Sequence, residues 1–138
     1  MTVDTLEHPA LPAFAERLSN RPPRLAIGGW VWQPLWLDAQ ALDALEWATV
    51  GNFDVVCTLD GSHGVLPPVR AVRLCDLIEQ ARPAFERRTD FKRVAIVAEG
   101  VEGYRALFSW AEVFNSPLGA GIVVAYDIAG AKLPDNAG

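Results

Sequence analysis

The chain has 138 residues, enough for one domain that buries about two thirds of its unfolded surface without a disulfide or a metal. Hydrophobic residues make up 51% and charged residues 21%, a balance that excludes a disordered chain. The formal charge of -5 comes without any block of like charge, which excludes the clustered Lys and Arg of a nucleic-acid footprint.

Residues 1–23 read as a helical lead-in to a main domain at 24–138. Leu11, Phe14 and Leu18 fall on one helical face, Pro12 suits the first turn, and Asn20 with Pro22-Pro23 ends it. The start has no basic n-region and no apolar h-region, so no secretory signal is expected and the default compartment is the cytoplasm. The longest uncharged run, residues 113–126, is broken by Asn115, Ser116, Pro117, Gly119 and Gly121, and no membrane span is expected.

Residues 24–31 form the first expected strand, with Leu25 and Ile27 alternating and Gly28-Gly29 marking a bulge or a close backbone approach. Residues 30–37 are strongly aromatic, and Gln33-Pro34 reads as a turn between two short strands. Trp30, Trp32 and Trp36 have two readings: a stacking platform for a flat ligand, or a plug in a core or interface. Asp38 is the expected N-cap of a helix that carries Leu42, Leu45 and Trp47 inward.

Residues 53–57 read as a short buried strand, because Val55-Val56 beside Phe53 favours one and Asp60-Gly61 signals a turn. Cys57 stands where strand becomes loop. It is either a buried core thiol or a soft ligand for a metal. Residues 59–69 read as a solvated loop. Asp60, Ser62 and His63 have the side chains of nucleophilic chemistry, but triads are assembled in space rather than by adjacency. Cys57, His63 and Cys75 lack the paired-ligand spacing of a zinc site, and two cysteines on different elements are not a disulfide framework.

The spacing of Leu74, Leu77, Ile78 and Ala81 predicts a helix over 72–81, with Cys75 as packing and Arg82-Pro83 as the stop. Residues 86–90 read as a solvated loop of mixed sign, and 92–98 as a buried strand. Glu99 to Gly103 is a turn, and the alternation from Tyr104 to Ser109 predicts a half-buried strand. Ser109-Trp110-Ala111-Glu112 has the capping-box pattern of a short helix, closed by Asn115-Ser116-Pro117. The apolar run at 122–128 predicts a last strand in a central position. No internal repeat, dinucleotide fingerprint or phosphate-cradling glycine loop occurs.

Five stretches in order resemble the oxidoreductase molybdopterin-binding domain of the sulfite oxidase family, from about Leu25 to the end of the chain. They are Ile27-Gly28-Gly29-Trp30-Val31 through Pro34, Leu37 and Leu42; then Val55-Val56-Cys57; then the run from Val72 to Ala81. The fourth runs from Gly103 to Glu112, and the last is Ala125-Tyr126-Asp127-Ile128-Ala129-Gly130-Ala131-Lys132-Leu133-Pro134. The resemblance implies a single α+β domain, a compact β-rich core with three or four short helices. It implies a molybdopterin cofactor held by Cys57, Arg73 and Tyr104, with Cys57 as the molybdenum ligand. Oxygen-atom or electron transfer at that metal is the chemistry it implies. Where the family places Ala-Gly-Asn-Arg after the cysteine, this chain has Thr58-Leu59-Asp60-Gly61, and Arg70, Arg73 and Arg105 are the cations left to meet an anionic cofactor. The alternative from a different class is a non-catalytic ligand- or protein-binding module that keeps the fold without the cofactor. Residues 30–36 are then its contact surface, because tryptophan is enriched at interfaces.

Overall fold

The computed structural model describes residues 24–51, 53–128 and 130–132. The lead-in expected at 1–23 and the Leu133-Pro134 end of the last matched stretch lie outside the described residues. Ten short strands and three short helices follow in chain order among them. They are β1 (Leu25–Ile27), β2 (Leu35–Leu37), α1 (Ala39–Asp43), β3 (Ala48–Val50), β4 (Phe53–Cys57), β5 (Gly61–Leu66), β6 (Val69–Arg73) and α2 (Leu74–Gln80). Then come β7 (Ala95–Glu99), β8 (Arg105–Ser109), α3 (Trp110–Phe114), β9 (Val123–Ile128) and β10 (Ala131–Lys132). The result is a small mixed domain, rich in strands, with few and short helices.

One antiparallel sheet of order β10-β9-β6-β3 forms the centre, and the pairs β1-β2, β4-β5 and β7-β8 are separate two-stranded ladders. β9 lies between β10 and β6, the inner place expected of its apolar run. The core is built where β6 meets α2: Val69, Ala71 and Val72 are buried with Leu77, Ile78 and Ala81. Leu77 has 0% of its surface exposed, so the predicted helical stripe does face inward. β6 keeps Arg70 and Arg73 outside. Opposite it, the register steps from Asp127 to Ala125 past Tyr126, which is a β-bulge.

Several elements differ from the sequence expectation. α2 begins at Leu74, and Val72 belongs to β6, because a valine paired with Val124 across the ladder is better placed in a strand than in a first helical turn. Residues 61–66 are not loop but strand, paired with β4 from Phe53↔Leu66 to Cys57↔Gly61 around the turn Thr58-Leu59-Asp60. Gly61, Ser62 and Gly64 carry no strand signal of their own; main-chain pairing to β4 imposes the conformation. α1 stops at Asp43, so Leu45 and Trp47 lie beyond it, and the Trp47 indole donates 2.7 Å to the Leu42 carbonyl instead. The N-cap role of Asp38 holds: it accepts the Ala41 amide at 2.9 Å.

Asp90 is not solvated. It is 5% exposed and accepts the Glu86 amide at 3.0 Å and the Arg87 amide at 2.8 Å, so its carboxylate closes the loop that precedes it. Residues 90–93 form a 3-10 turn, and β7 starts only at Ala95. β7 is largely exposed rather than buried, because among the described residues it pairs with β8 alone.

The capping box is present as read: Ser109 Oγ accepts the Glu112 amide at 3.2 Å, and Glu112 accepts the Ser109 amide at 2.6 Å. That amide, then the Ser109 hydroxyl, hold the Glu112 carboxyl below its ordinary value of 4.5. A depressed folded value means the stabilisation is present above pH 4.5 and is lost as pH falls through the lower folded value. Glu112→Gln is therefore expected to flatten the acid side of the melting-temperature profile. Parallel profiles for the two proteins below pH 4.5 would show that the charge of the carboxylate contributes nothing.

Candidate functional site

A cleft of about 530 Å³ opens between β1 and β7. β1 with residues 28–31 and β7 supply most of the lining, and Leu74 and Ile78 of α2 and Val124 of β9 add to it. Aromatic rings line it in sequence: Trp30 meets Phe85 edge-on at 5.7 Å, and Phe85 meets Trp110 edge-on at 4.8 Å. Trp110 in turn stacks on Phe114 at 3.9 Å, one helical turn along α3. Edge-to-face contacts lock the rings in orientation, so the cleft presents a preformed apolar surface.

Among the described residues, two with ionisable side chains line this surface, Arg93 and Glu99. Glu99 is engaged by Arg105 at 2.9 Å. Arg93 sits in the last turn before β7 and has no carboxylate partner among the described residues. The site is thus apolar, aromatic, and bordered by a cation that meets no carboxylate among the described residues.

The residues expected to hold a cofactor fall elsewhere. Cys57 is the last residue of β4, at the strand-to-turn junction expected for it; its thiol lies outside the described side chains. Arg73 ends β6, and its guanidinium lies on both oxygens of Asp76, at 2.9 and 2.7 Å, which raises its pKa further. Tyr104 follows the turn between β7 and β8, with 78% of its surface exposed and its carbonyl accepting the Gly100 amide. The three residues stand on or beside three separate ladders. The other two candidate cations are also engaged, Arg70 by Asp127 at 3.2 Å and Arg105 by Glu99. A pterin phosphate needs cations that are free to meet it, and these three do not fit that need.

Trp30 enters the cleft, whereas Trp32 is 52% exposed and Trp36 lies on β2, so residues 30–36 are not one platform. Cys75 has its thiol 3.7 Å from Asp76 Oδ1. Burial first, and the Asp76 charge second, push that thiol up, which makes it a poor nucleophile and a poor metal ligand. Among the described residues no three His, Cys, Asp or Glu side chains gather as a metal site. No helix among them is long and apolar enough to cross a membrane.

Phe85, Arg93 and Trp110 were not singled out by sequence reasoning. Trp110 and Phe114 carried a signal in their four-residue spacing, which the capping box beside them obscured. Phe85 and Arg93 lie in irregular or 3-10 segments, where no period marks an inward side.

Tyr126, the bulged residue, sits in a second cluster. It stacks on Trp47 at 4.7 Å, its hydroxyl donates to Asp43 of α1, and the Arg70 guanidinium lies 5.7 Å from its ring centre. This cluster fastens α1 to the central sheet.

Fold and site together define a small strand-rich α+β domain with an aromatic-lined cleft. No family model matches the chain, and neither a curated protein nor a solved structure does.

Proposed function

We propose that this chain is a binding module whose cleft between β1 and β7 takes an apolar ligand bearing an anionic group. One observation carries the reading: Trp30, Phe85 and Trp110 line a preformed cleft that Arg93 borders without a carboxylate partner among the described residues. Apolar clefts with a few placed polar groups are the usual form of ligand sites. The dye 8-anilinonaphthalene-1-sulfonate has the required chemistry, an aromatic body with one sulfonate. Saturable binding with energy transfer from tryptophan is the expected result. Arg93→Gln is expected to weaken it about tenfold, the effect of losing one hydrogen bond to a charged group. Equal affinity in Arg93→Gln and the parent would sink the assignment of the anionic end.

A second reading follows the resemblance to the molybdopterin-binding domain of the sulfite oxidase family. The observation in its favour is the place of Cys57, the last residue of β4, where the chain leaves the strand. A thiolate is the soft ligand such a metal prefers. Elemental mass spectrometry on protein from a host that makes the cofactor tests it. Near-stoichiometric molybdenum that vanishes in Cys57→Ser supports this reading; folded protein that contains no molybdenum removes it.

A further inference from the structure

The turn between β7 and β8 fixes which main-chain groups of β7 face the cleft. The Gly100 amide donates to the Tyr104 carbonyl at 2.9 Å, so Gly100 and Tyr104 form a hydrogen-bonded pair at the hairpin end. From there the register runs without a slip from Glu99↔Arg105 to Ala95↔Ser109. Bonded and non-bonded pairs alternate along an antiparallel ladder. Ala98 with Ala106 and Ile96 with Phe108 therefore exchange hydrogen bonds. Ala95, Val97 and Glu99 aim their amides and carbonyls the other way, away from β8.

That other side is the cleft. All five residues of β7, from both faces of the strand, line it, so its edge rather than a face forms the wall. The opposite wall is β1, and among the described residues β1 pairs with β2 alone, as β7 does with β8. An unpaired edge is a template for another strand.

We propose that the occupant of the cleft is an extended polypeptide C-terminus, which adds to β7 as a third strand with its terminal carboxylate at Arg93. The inference rests on the binding-module reading and names its ligand. Val97 and Glu99 supply the ladder bonds, and the rings of Trp30, Phe85 and Trp110 take the aliphatic side chains of the added strand. Charge sets its direction. A strand antiparallel to β7 brings its C-terminus to the N-terminal end of β7, and Arg93 stands two residues before that end. Antiparallel pairing is also the pattern of every named strand pair in the described domain.

The probe is acetyl-Thr-Val-Thr-Val-Thr-Val with a free C-terminal carboxylate, added to the full isotope-labelled chain and followed by amide hydrogen exchange. Val97 and Glu99 amides are expected to exchange freely in the protein alone and to slow about tenfold or more at saturation. Ile96 and Ala98 are expected to be slow throughout. The same peptide with a C-terminal amide is expected to bind about tenfold more weakly, and Arg93→Gln to bind the two forms alike. Protection of Val97 and Glu99 before peptide is added would overturn the proposal, and so would equal affinity of the acid and amide peptides for the parent protein. Binding of the sulfonate dye without binding of either peptide would overturn this proposal and leave the module reading standing; loss of both would end both.

Discussion

Gly119→Ala is expected to lower the melting temperature by about 10 °C, through a loss of about 3 kcal/mol. A Cβ at this position would lie 1.9 Å from the Val113 carbonyl oxygen and 2.7 Å from its carbon. Both atoms are backbone, so no rotamer change relieves the overlap; α3 or the 3-10 turn Pro117–Gly121 must move as a unit. Neither is free to do so. Ser116 Oγ donates to the Glu112 carbonyl at 2.8 Å, and the Asn115 amide to Ala111 at 2.9 Å. Val113 itself is 3% exposed, so a shift of α3 opens the core. It also displaces Trp110, and with it one ring of the cleft, so dye binding should fall together with stability. Gly121→Ala is the control, because nothing lies within 4 Å of its added methyl group. The entropy of the unfolded chain favours alanine at both sites, so the difference between them isolates the close approach. Equal melting temperatures in the two variants would mean that α3 is not held against the turn.

What the sequence made legible here was local. Ser109 and Glu112 are three residues apart, and the box they form depends on nothing else. The stripe Leu74, Leu77, Ile78, Ala81 shows its own period, and the apolar run into β9 shows its inner place in the sheet. β5 was illegible because its strand character resides in β4, and residues such as Gly61 and Gly64 bear no mark of the partner. The sequence of edge strand β7 reads as buried because valine and isoleucine signal strand and core alike; how many neighbours the strand has is a property of the topology. The candidate site divides in the same way. Asp76, three residues after Arg73, could have shown that this cation was already engaged. The cleft draws on residues from Leu25 to Val124, and nothing along the chain announces their meeting.

Arg70→Met is expected to cost about 2 kcal/mol, although Arg70 is a surface residue. The reason lies with its partner. The Asp127 side chain is 4% exposed, and among the described side chains Arg70 is the cation that meets it, at 3.2 Å. Removing one member of a buried pair costs about 3–5 kcal/mol, because the other is left charged and dry. The 45% exposure of Arg70 lets water screen part of that, which brings the expectation down. Arg105 and Glu99 offer the contrast: at 2.9 Å they are closer, but 67% and 51% exposed, so Arg105→Met should leave the unfolding midpoint unchanged. Distance alone predicts the opposite order. Arg70 also lies against Tyr126, whose stacking on Trp47 and bond to Asp43 hold α1 to the sheet, so the loss should be accompanied by faster exchange in α1. A double-mutant cycle separates the charge from the packing. If the cost is the stranded carboxylate, Asp127→Asn in the Arg70→Met background should restore about half of it. If the two substitutions simply add, the cost is not the stranded carboxylate but the lost contact of Arg70 with the Tyr126 ring.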